Sequence, residues 1–404
     1  MDESEVAHKM IEPIVKGMTG AEAVAWAAKQ INPDVIAAYP ITPQTIIVER
    51  FSDYVNDGLV DTSYIPVESE HSAMSACVGA SITGARVFTA TASAGLALMY
   101  EILYVASGMR LPIVLAVANR AFSAPINIHG ECTDQMVCRD ASWISLFGES
   151  AQEAYDETIM SFKIGENPEI MLPTMFGIEG FIVTHALERV DTLPDKTVKD
   201  FLGEKRVIPS CTFNPFAVGT FGSLVLQDNY MELKRQQEEA MQKAYHVAKD
   251  VMAEFSEISG RNYEIIEKYK LEDADYAFVS YGATAGNAKA VVDRLREKGE
   301  KVGSLKIRLY RPYPVPDIYE VLKGIKAVSI LDRSATFGSP ATIAQSDLAA
   351  ALYGKKDVPT LHGYINGLGG RVLLLPEIEQ AYEQSKKYHE EGKALTQDWI
   401  GYRR

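Results

Sequence analysis

Glu70 lies in the run I-P-V-E-S-E-H-S-A-M-S-A between Ile65 and Ala76, where a short apolar stretch stops at two carboxylates and turns helix-like. An acid at a strand-to-helix junction faces the partial positive charge of the helix N-terminus, which fixes its direction. Such a carboxylate can accept a proton from a ring nitrogen. Upstream, Tyr39-Pro40-Ile41-Thr42-Pro43 uses two prolines to stiffen the backbone around the Thr42 hydroxyl. Downstream, Ala118-Asn119-Arg120-Ala121 ends an apolar run on a guanidinium. A fourth corner, Thr89 to Gly95, sets the hydroxyls of Thr91 and Ser93 among small residues ahead of a helix, suited to the close approach of a flat ring. Taken singly, each has a plainer reading. Glu70 offsets a helix dipole, Thr42 caps the next helix, Arg120 pairs with Glu131 or Asp134, and the small residues serve packing. In parallel α/β sheets, however, ligands collect outside the carboxyl ends of strands, and all of these residues fall at expected strand ends. A carboxylate, a hydroxyl and a guanidinium so placed are what a site for a small 2-oxo acid and an activated cofactor requires.

The elements that must position them follow from periodicity. Thr19-Gly20-Ala21-Glu22 fits a capping box and opens an alanine-rich helix to about Gln30. Strands are expected at 34–39, 65–68, 86–91, 112–118 and 170–175, with helices to Ser81, over 94–107 and over 152–164. This alternation predicts a mostly parallel sheet with helices on both faces. From Asp228 to Phe255 the chain turns charged and helix-favouring without proline or glycine, which reads as one long helix bridging two domains. Strands at 276–281, 302–308 and 327–331, helices at 285–298 and from Pro376, and the loop signal Gly367-Leu368-Gly369-Gly370-Arg371 describe a second α/β unit. The expected division is 1–227, a helical linker 228–260, and 261–404. Gly282-Ala283-Thr284-Ala285-Gly286 lacks both the P-loop lysine and the third glycine of a dinucleotide fingerprint, so it reads as a tight turn.

Composition narrows the class. With 404 residues the chain exceeds one typical core, and 47% apolar with 23% charged residues is ordinary for a globular protein. A net charge of −14 argues against nucleic acid as the main partner. No run reaches the roughly 18 apolar residues of a membrane span, and the acidic start, Met1 to Glu5, lacks a secretion signal, so a cytoplasmic location is expected. The four cysteines, Cys77, Cys132, Cys138 and Cys211, include no C-x-x-C pair. A chain of this kind is not expected to ligate an iron–sulfur cluster alone, so electron transfer needs a partner subunit. His71, His129 and His185 show no metal-site spacing, and no metal is assigned to this chain.

The chain resembles the alpha subunit of the 2-oxoacid:ferredoxin oxidoreductases, most closely the pyruvate type. The likeness runs through Y-P-I-T-P (Tyr39 to Pro43), V-E-S-E-H-S-A (Val67 to Ala73), G-A-R-V-F-T-A-T (Gly84 to Thr91), S-G-M-R-L-P-I-V (Ser107 to Val114) and A-N-R-A-F-S-A-P (Ala118 to Pro125). L-K-I-R-L-Y-R-P (Leu305 to Pro312), L-D-R-S (Leu331 to Ser334) and G-L-G-G-R (Gly367 to Arg371) extend it. The resemblance implies an α/β fold of two doubly wound, mostly parallel-sheet domains joined by a long helix: a pyrimidine-binding domain of the thiamine diphosphate type, then a transketolase C-terminal-like domain. It implies that Glu70, with Thr91 and Ser93 nearby, contacts the aminopyrimidine of thiamine diphosphate so that the ring's own nitrogen removes the thiazolium C2 proton. Arg120 and Thr42 would bind the 2-oxo acid, pyruvate first of all, with coenzyme A as co-substrate. A beta subunit would hold the diphosphate and Mg2+, in keeping with the absence here of G-D-G; [4Fe-4S] clusters would sit in partner subunits of beta, gamma and delta type, and ferredoxin would take the electrons. One stretch departs from the family: Ile128 to Met136 reads I-H-G-E-C-T-D-Q-M where pyruvate-type relatives resemble I-W-x-D-H-x-D-x-M. His129, Glu131 and Cys132 there make a branched-chain or aromatic 2-oxo acid an alternative substrate, while Thr42 argues against a dicarboxylate. The rivals are a nicotinamide-linked dehydrogenase, opposed by the missing G-x-G-x-x-G, and a non-catalytic assembly subunit.

Overall fold

The computed structural model describes residues 13–204, 216 and 219–403; Cys211 and residues 1–5 lie outside them. The first half runs β1 (Ile14–Thr19), α1 (Gly20–Ile31), β2 (Val35–Ala38), α2 (Thr45–Asn56), β3 (Ser63–Pro66), α3 (Glu70–Ile82), β4 (Val87–Thr91), α4 (Ser93–Gly108) and β5 (Val114–Asn119). It continues with α5 (Thr133–Val137), β6 (Ile144–Gly148), α6 (Ala151–Gly165), β7 (Thr174–Glu179), β8 (Leu187–Thr192) and α7 (Asp195–Leu202). After α8 (Tyr230–Ser259) come β9 (Ile266–Tyr269), β10 (Tyr276–Ser280), α9 (Thr284–Glu297), β11 (Val302–Ile307), β12 (Leu309–Arg311), α10 (Val315–Leu322) and β13 (Ala327–Asp332). The chain ends with α11 (Ile343–Leu352), β14 (Thr360–Ile365), α12 (Leu375–Glu390) and β15 (Leu395–Trp399).

Two sheets organise these elements, in strand order β12-β6-β7-β5-β4-β2-β3 and β15-β14-β13-β10-β11-β9, beside a β1–β8 ribbon. Both are parallel apart from one antiparallel edge strand each, β12 against β6 and β9 against β11. The α/β, mostly parallel architecture expected from the alternation is therefore present. Because neighbouring residues of a strand face opposite layers, Val114 and Ala116 of β5 pack under α1 and α6, while Leu115 and Val117 pack under α3 and α4. Thr19 closes the capping box of α1 with Glu22, as its sequence predicts.

Three features differ from the expectations. The strand expected at 170–175 begins at Thr174, because Ile170 and Leu172 are buried in the turn before it rather than in the ladder. The long helix begins and ends slightly later than 228–255, and its apolar face, Ala244, Val247, Ala248, Val251 and Phe255, packs into the layer formed by α1 and α6. β12, only three residues long, leaves the second half to edge the first sheet.

The chain crosses between the two sheets at Arg308, and a buried ionic cluster marks the crossing. Lys306 Nζ reaches Glu153 at 2.6 Å and Glu149 at 3.0 Å, and Arg308 Nη2 reaches Glu153 at 2.7 Å and Glu267 at 3.2 Å. Burial would raise Glu153, yet the Lys306 and Arg308 charges hold it well below the usual carboxylate range. Burial together with the Glu153 charge pushes neighbouring Glu157 up, against the pull of Arg308 and Lys306. Among the described residues, Cys77, Cys132 and Cys138 are free and buried, and burial pushes the Cys77 thiol up to about 12. Among the same residues no helix is long and apolar enough to cross a membrane.

Candidate functional site

The seven-stranded order places β3, β2, β4 and β5 side by side with their carboxyl ends on one edge. After β2 the chain moves outward to β3 and then recrosses to β4 on the far side of β2. The β2/β4 boundary is thus the topological switch point, where parallel sheets open a crevice. The loops leaving these four strands carry Thr42, Glu70, Thr91 with Ser93, and Arg120.

Glu70 is the first residue of α3, whose N-terminus is capped by Ser69: its hydroxyl oxygen accepts the Ser72 N–H at 3.2 Å. The carboxylate is buried, with 7% of the residue exposed. Facing it, the first turn of α4 has Gly95, at which a Cβ would come within 2.5 Å of both Glu70 Oε1 and Thr91 Oγ1. Only glycine leaves room there. Thr91 Oγ1 is fully buried and lacks a hydrogen-bond partner among the described residues, a cost that an incoming ligand would relieve. Ser93 opens α4 at φ +47°, a left-handed conformation uncommon for serine and found preferentially at functional sites. Its hydroxyl donates to Ala121 O at 2.5 Å and its N–H to Asp134 Oδ2 at 2.9 Å.

Arg120 is tied to the same acid. Asp134 Oδ2 accepts the Arg120 backbone N–H at 2.9 Å, while Oδ1 accepts from Asn119 Nδ2 at 3.0 Å and from the Gln135 N–H at 2.8 Å. The guanidinium instead donates through Nη1 to Thr42 O at 2.9 Å and through Nε to Asn127 O at 3.0 Å. The alternative pairing of the Arg120 side chain with Glu131 or Asp134 is therefore corrected: Asp134 holds its backbone, and Glu131 accepts the Gly369 N–H. Thr42 does not cap α2 either. Gln44 precedes that helix, and its buried amide accepts from the Ile41 N–H and donates to Ala90 O, tying the β2 corner to β4. Thr42 Oγ1 has no hydrogen-bond partner among the described residues.

The five residues offered for the site are linked: Glu70 and Thr91 face each other across Gly95, Ser93 and Arg120 are joined through Asp134, and the Arg120 guanidinium bonds the Thr42 backbone carbonyl. Asp134, offered by the sequence only as a partner for the Arg120 side chain, and Glu179, which sequence reasoning passed over, are the connecting acids. Glu179 ends β7 as Glu70 and Arg120 follow their strands, an apolar run stopping on a charge, and that signal was available. It accepts the Ala283 N–H at 2.9 Å and pairs with Arg333 at 3.0 Å, seating the second sheet on the first. His71 lies near Glu101 at 3.5 Å on the surface, His185 stacks on Phe181, and His129 packs against the same ring at a tilt of 35°.

Comparison with known proteins identifies the family. Residues 26–253 match the family described as pyruvate flavodoxin/ferredoxin oxidoreductase, thiamine diphosphate-binding, and residues 274–378 match pyruvate:ferredoxin oxidoreductase core domain II. The chain belongs to the pyruvate flavodoxin/ferredoxin oxidoreductase family. It is 50% identical over 368 residues to the pyruvate synthase subunit PorA of Thermotoga maritima, covering 91% of this chain and 93% of that one. The PorA subunit of Pyrococcus furiosus is 45% identical, with 97% and 98% covered, and the ketoisovalerate oxidoreductase subunit VorA of Pyrococcus abyssi is 41% identical, with 95% and 96% covered. Among solved structures, the 2-oxoglutarate:ferredoxin oxidoreductase of Magnetococcus marinus aligns with a TM-score of 0.69 at 18% identity, covering 93% of this chain and 65% of that one. A split-gene transketolase aligns at 0.54 and 12% identity, with 92% and 99% covered. These two likenesses concern the fold.

Burial lifts the Asp134 carboxyl to about 6, against the pull of the Asn119, Arg120, Ser93 and Gln135 donors. Between its ordinary value of 3.8 and about 6 the folded chain keeps a proton that the unfolded chain has released, so stability falls as pH rises through that window. Asp134→Asn should remove that component of the slope in denaturant melts run from about pH 4 to 7. An unchanged slope would contradict the role of Asp134 as a buried titrating acid.

Proposed function

We propose that this chain is the alpha subunit of a pyruvate:ferredoxin oxidoreductase, supplying the cofactor-activating acid and the substrate clamp to an active site completed by a second subunit. The observation that carries the reading is the Glu70 carboxylate, buried against a Cβ-free turn of α4 beside the unpartnered hydroxyl of Thr91. An acid in such a slot suits a flat, nitrogen-bearing ring.

The residues present fit thiamine diphosphate on that ground. When bound, this group supplies the carbon nucleophile that adds to a 2-oxo acid and the electron sink for its decarboxylation. Glu70 accepts a hydrogen bond at its carboxylate from the pyrimidine ring nitrogen and holds the proton there. Gly95 lets the ring approach, and the Thr91 and Ser93 corner lines its edge. Arg120 engages the substrate carboxylate with the guanidinium N–H groups not spent on Thr42 and Asn127, and the Thr42 hydroxyl bonds its oxygens, fixing the attack geometry.

A second subunit is supported by the apolar rim of the corner. Tyr39, Ile65, Leu98 and Ile126 are exposed around it, Ile126 at 77%, which favours cover by another chain. In this reading that beta-type subunit would hold the diphosphate and Mg2+, gamma- and delta-type subunits the [4Fe-4S] clusters that relay electrons to ferredoxin, and coenzyme A is the acyl acceptor. Residues 1–227 act as the pyrimidine-binding and substrate domain, 228–260 as linker and 261–404 as the transketolase C-terminal-like domain. Pyruvate is preferred over a branched-chain acid, because Glu131 and Cys132 bond the second half of the chain rather than the Arg120 guanidinium, Glu131 to Gly369 and the Cys132 N–H to Arg333 O, while His129 packs on Phe181.

In the assembled complex, Glu70→Gln should lower pyruvate-dependent acceptor reduction by about 10²–10⁴-fold with assembly intact. Near-normal turnover would overturn the acid's role. Arg120→Leu removes a charge-assisted contact worth about 1.5–3 kcal/mol, so the apparent KM for pyruvate should rise about 10–100-fold with a smaller change in kcat. An unchanged KM would remove Arg120 from the substrate site.

A further inference from the structure

The loop that follows Arg120 leads into the stretch that departs from the family pattern. From Ala121 to His129 the chain forms an Ω-shaped loop, closed where the Ala121 N–H donates to His129 O at 3.1 Å. Ser123 to Ile126 are exposed, so burial does not fix the loop's shape. Yet its Asn127 carbonyl accepts from Arg120 Nε and is one of only two acceptors holding the guanidinium among the described residues, the other being Thr42 O. Whatever positions Asn127 also orients Arg120.

That support comes from the turn after β14. Asn127 Nδ2 donates to Gly369 O at 3.0 Å, the Gly369 N–H donates to Glu131 Oε2 at 2.9 Å, and the Gly370 N–H donates to Gly130 O at 2.8 Å. Asn127 Oδ1 meanwhile accepts the His129 N–H at 2.8 Å, so both ends of the amide are engaged. Gly369 and Gly370 take φ +61° and +76°. A Cβ on Gly369 would come within 2.4 Å of Asn127 Nδ2, and one on Gly370 within 2.3 Å of His129 Cβ. The backbone of the turn therefore lies directly against the Asn127 and His129 side chains, an approach that a Cβ at either glycine would block.

We propose that Asn127, Glu131 and the Gly369–Gly370 turn form a latch by which the second sheet sets the Arg120 guanidinium for the substrate carboxylate. Asn127 and Glu131 are positioning residues for 2-oxo acid binding rather than substrate contacts. The inference rests on the reading of Arg120 as the substrate clamp. With two of its five N–H groups spent on backbone carbonyls, three remain for a carboxylate, and their direction depends on where those carbonyls stand.

The test is steady-state kinetics of the intact complex carrying Asn127→Asp, Glu131→Ala, Glu131→Gln, Arg120→Leu or the Asn127→Asp/Arg120→Leu pair. Asp at 127 sets an oxygen against Gly369 O, and Ala at 131 removes the acceptor of the Gly369 N–H, whereas Gln at 131 keeps one. Asn127→Asp and Glu131→Ala should each raise the KM for pyruvate about tenfold, the scale of one hydrogen bond, with kcat and the KM for coenzyme A within about twofold and Glu131→Gln near normal. Once the arginine is gone, Asn127→Asp should add nothing further. An unchanged pyruvate KM in both latch variants, or a full additive loss in the pair, would overturn the latch. If Asn127→Asp fails to assemble, the Glu131→Ala and Glu131→Gln comparison decides alone. A normal KM in Arg120→Leu would instead defeat the clamp itself.

Discussion

The carboxylate of Asp134 takes the backbone N–H groups of Ser93 and Arg120 at 2.9 Å each, and the geometry of the whole corner follows from that pair of bonds. One oxygen thereby locks the start of α4 to the end of β5. Because α4 carries Gly95 and β5 leads into Arg120, the slot beside Glu70 and the guanidinium have a fixed relation. A buried acid costs free energy unless its oxygens are satisfied, and here four donors converge on it. These bonds offset part of the burial penalty, and the remainder is what lifts the Asp134 carboxyl to about 6.

Asp134 is itself placed by the second half of the chain. It lies on α5, whose approach is fixed where the Cys132 N–H donates to Arg333 O at 2.9 Å and the Ala335 N–H donates to Thr133 Oγ1 at 3.2 Å. The loops leaving β10, β13 and β14 meet Glu179, Cys132 and Glu131 respectively. The carboxyl edge of the second sheet, where such sheets ordinarily receive ligands, is thus spent on bracing the first. Gly282 shows how closely: at φ +60°, a Cβ there would come within 2.7 Å of Glu179 Oε1. The conformational freedom of glycine serves contact between the halves at this turn, and no phosphate is needed to explain it.

Much of this was legible in the sequence, and for identifiable reasons. Apolar runs that end on a charge or a hydroxyl exposed the strand ends, so Thr42, Glu70, Thr91 and Arg120 could be named together before any contact was known. The Thr19 capping box and the proline-free helix after Asn229 were equally direct, since local chemistry determines them. Long-range pairing was not legible. β12 is three residues and gains its identity from β6, about 160 positions earlier in the chain, and the burial of Ile170 and Leu172 mimics a strand by composition alone. Asp134 was one of two acids offered to Arg120, and nothing local says that it bonds the backbone rather than the guanidinium. The departure at His129 to Cys132 read as a substrate signal because of its nearness to Arg120 along the chain; in space, Glu131 and Cys132 bond the second half.

The account stands on Glu70 acting on a ring held in the slot that Gly95 leaves open. Hydrogen–deuterium exchange at C2 of thiamine diphosphate, followed by quenched-flow NMR on the assembled complex without substrate, measures that action before any 2-oxo acid is involved. Glu70→Gln should slow the exchange by about 10²–10⁴-fold while the cofactor stays bound. Exchange at the unaltered rate in that variant would contradict the assignment of Glu70 and the reading built on it.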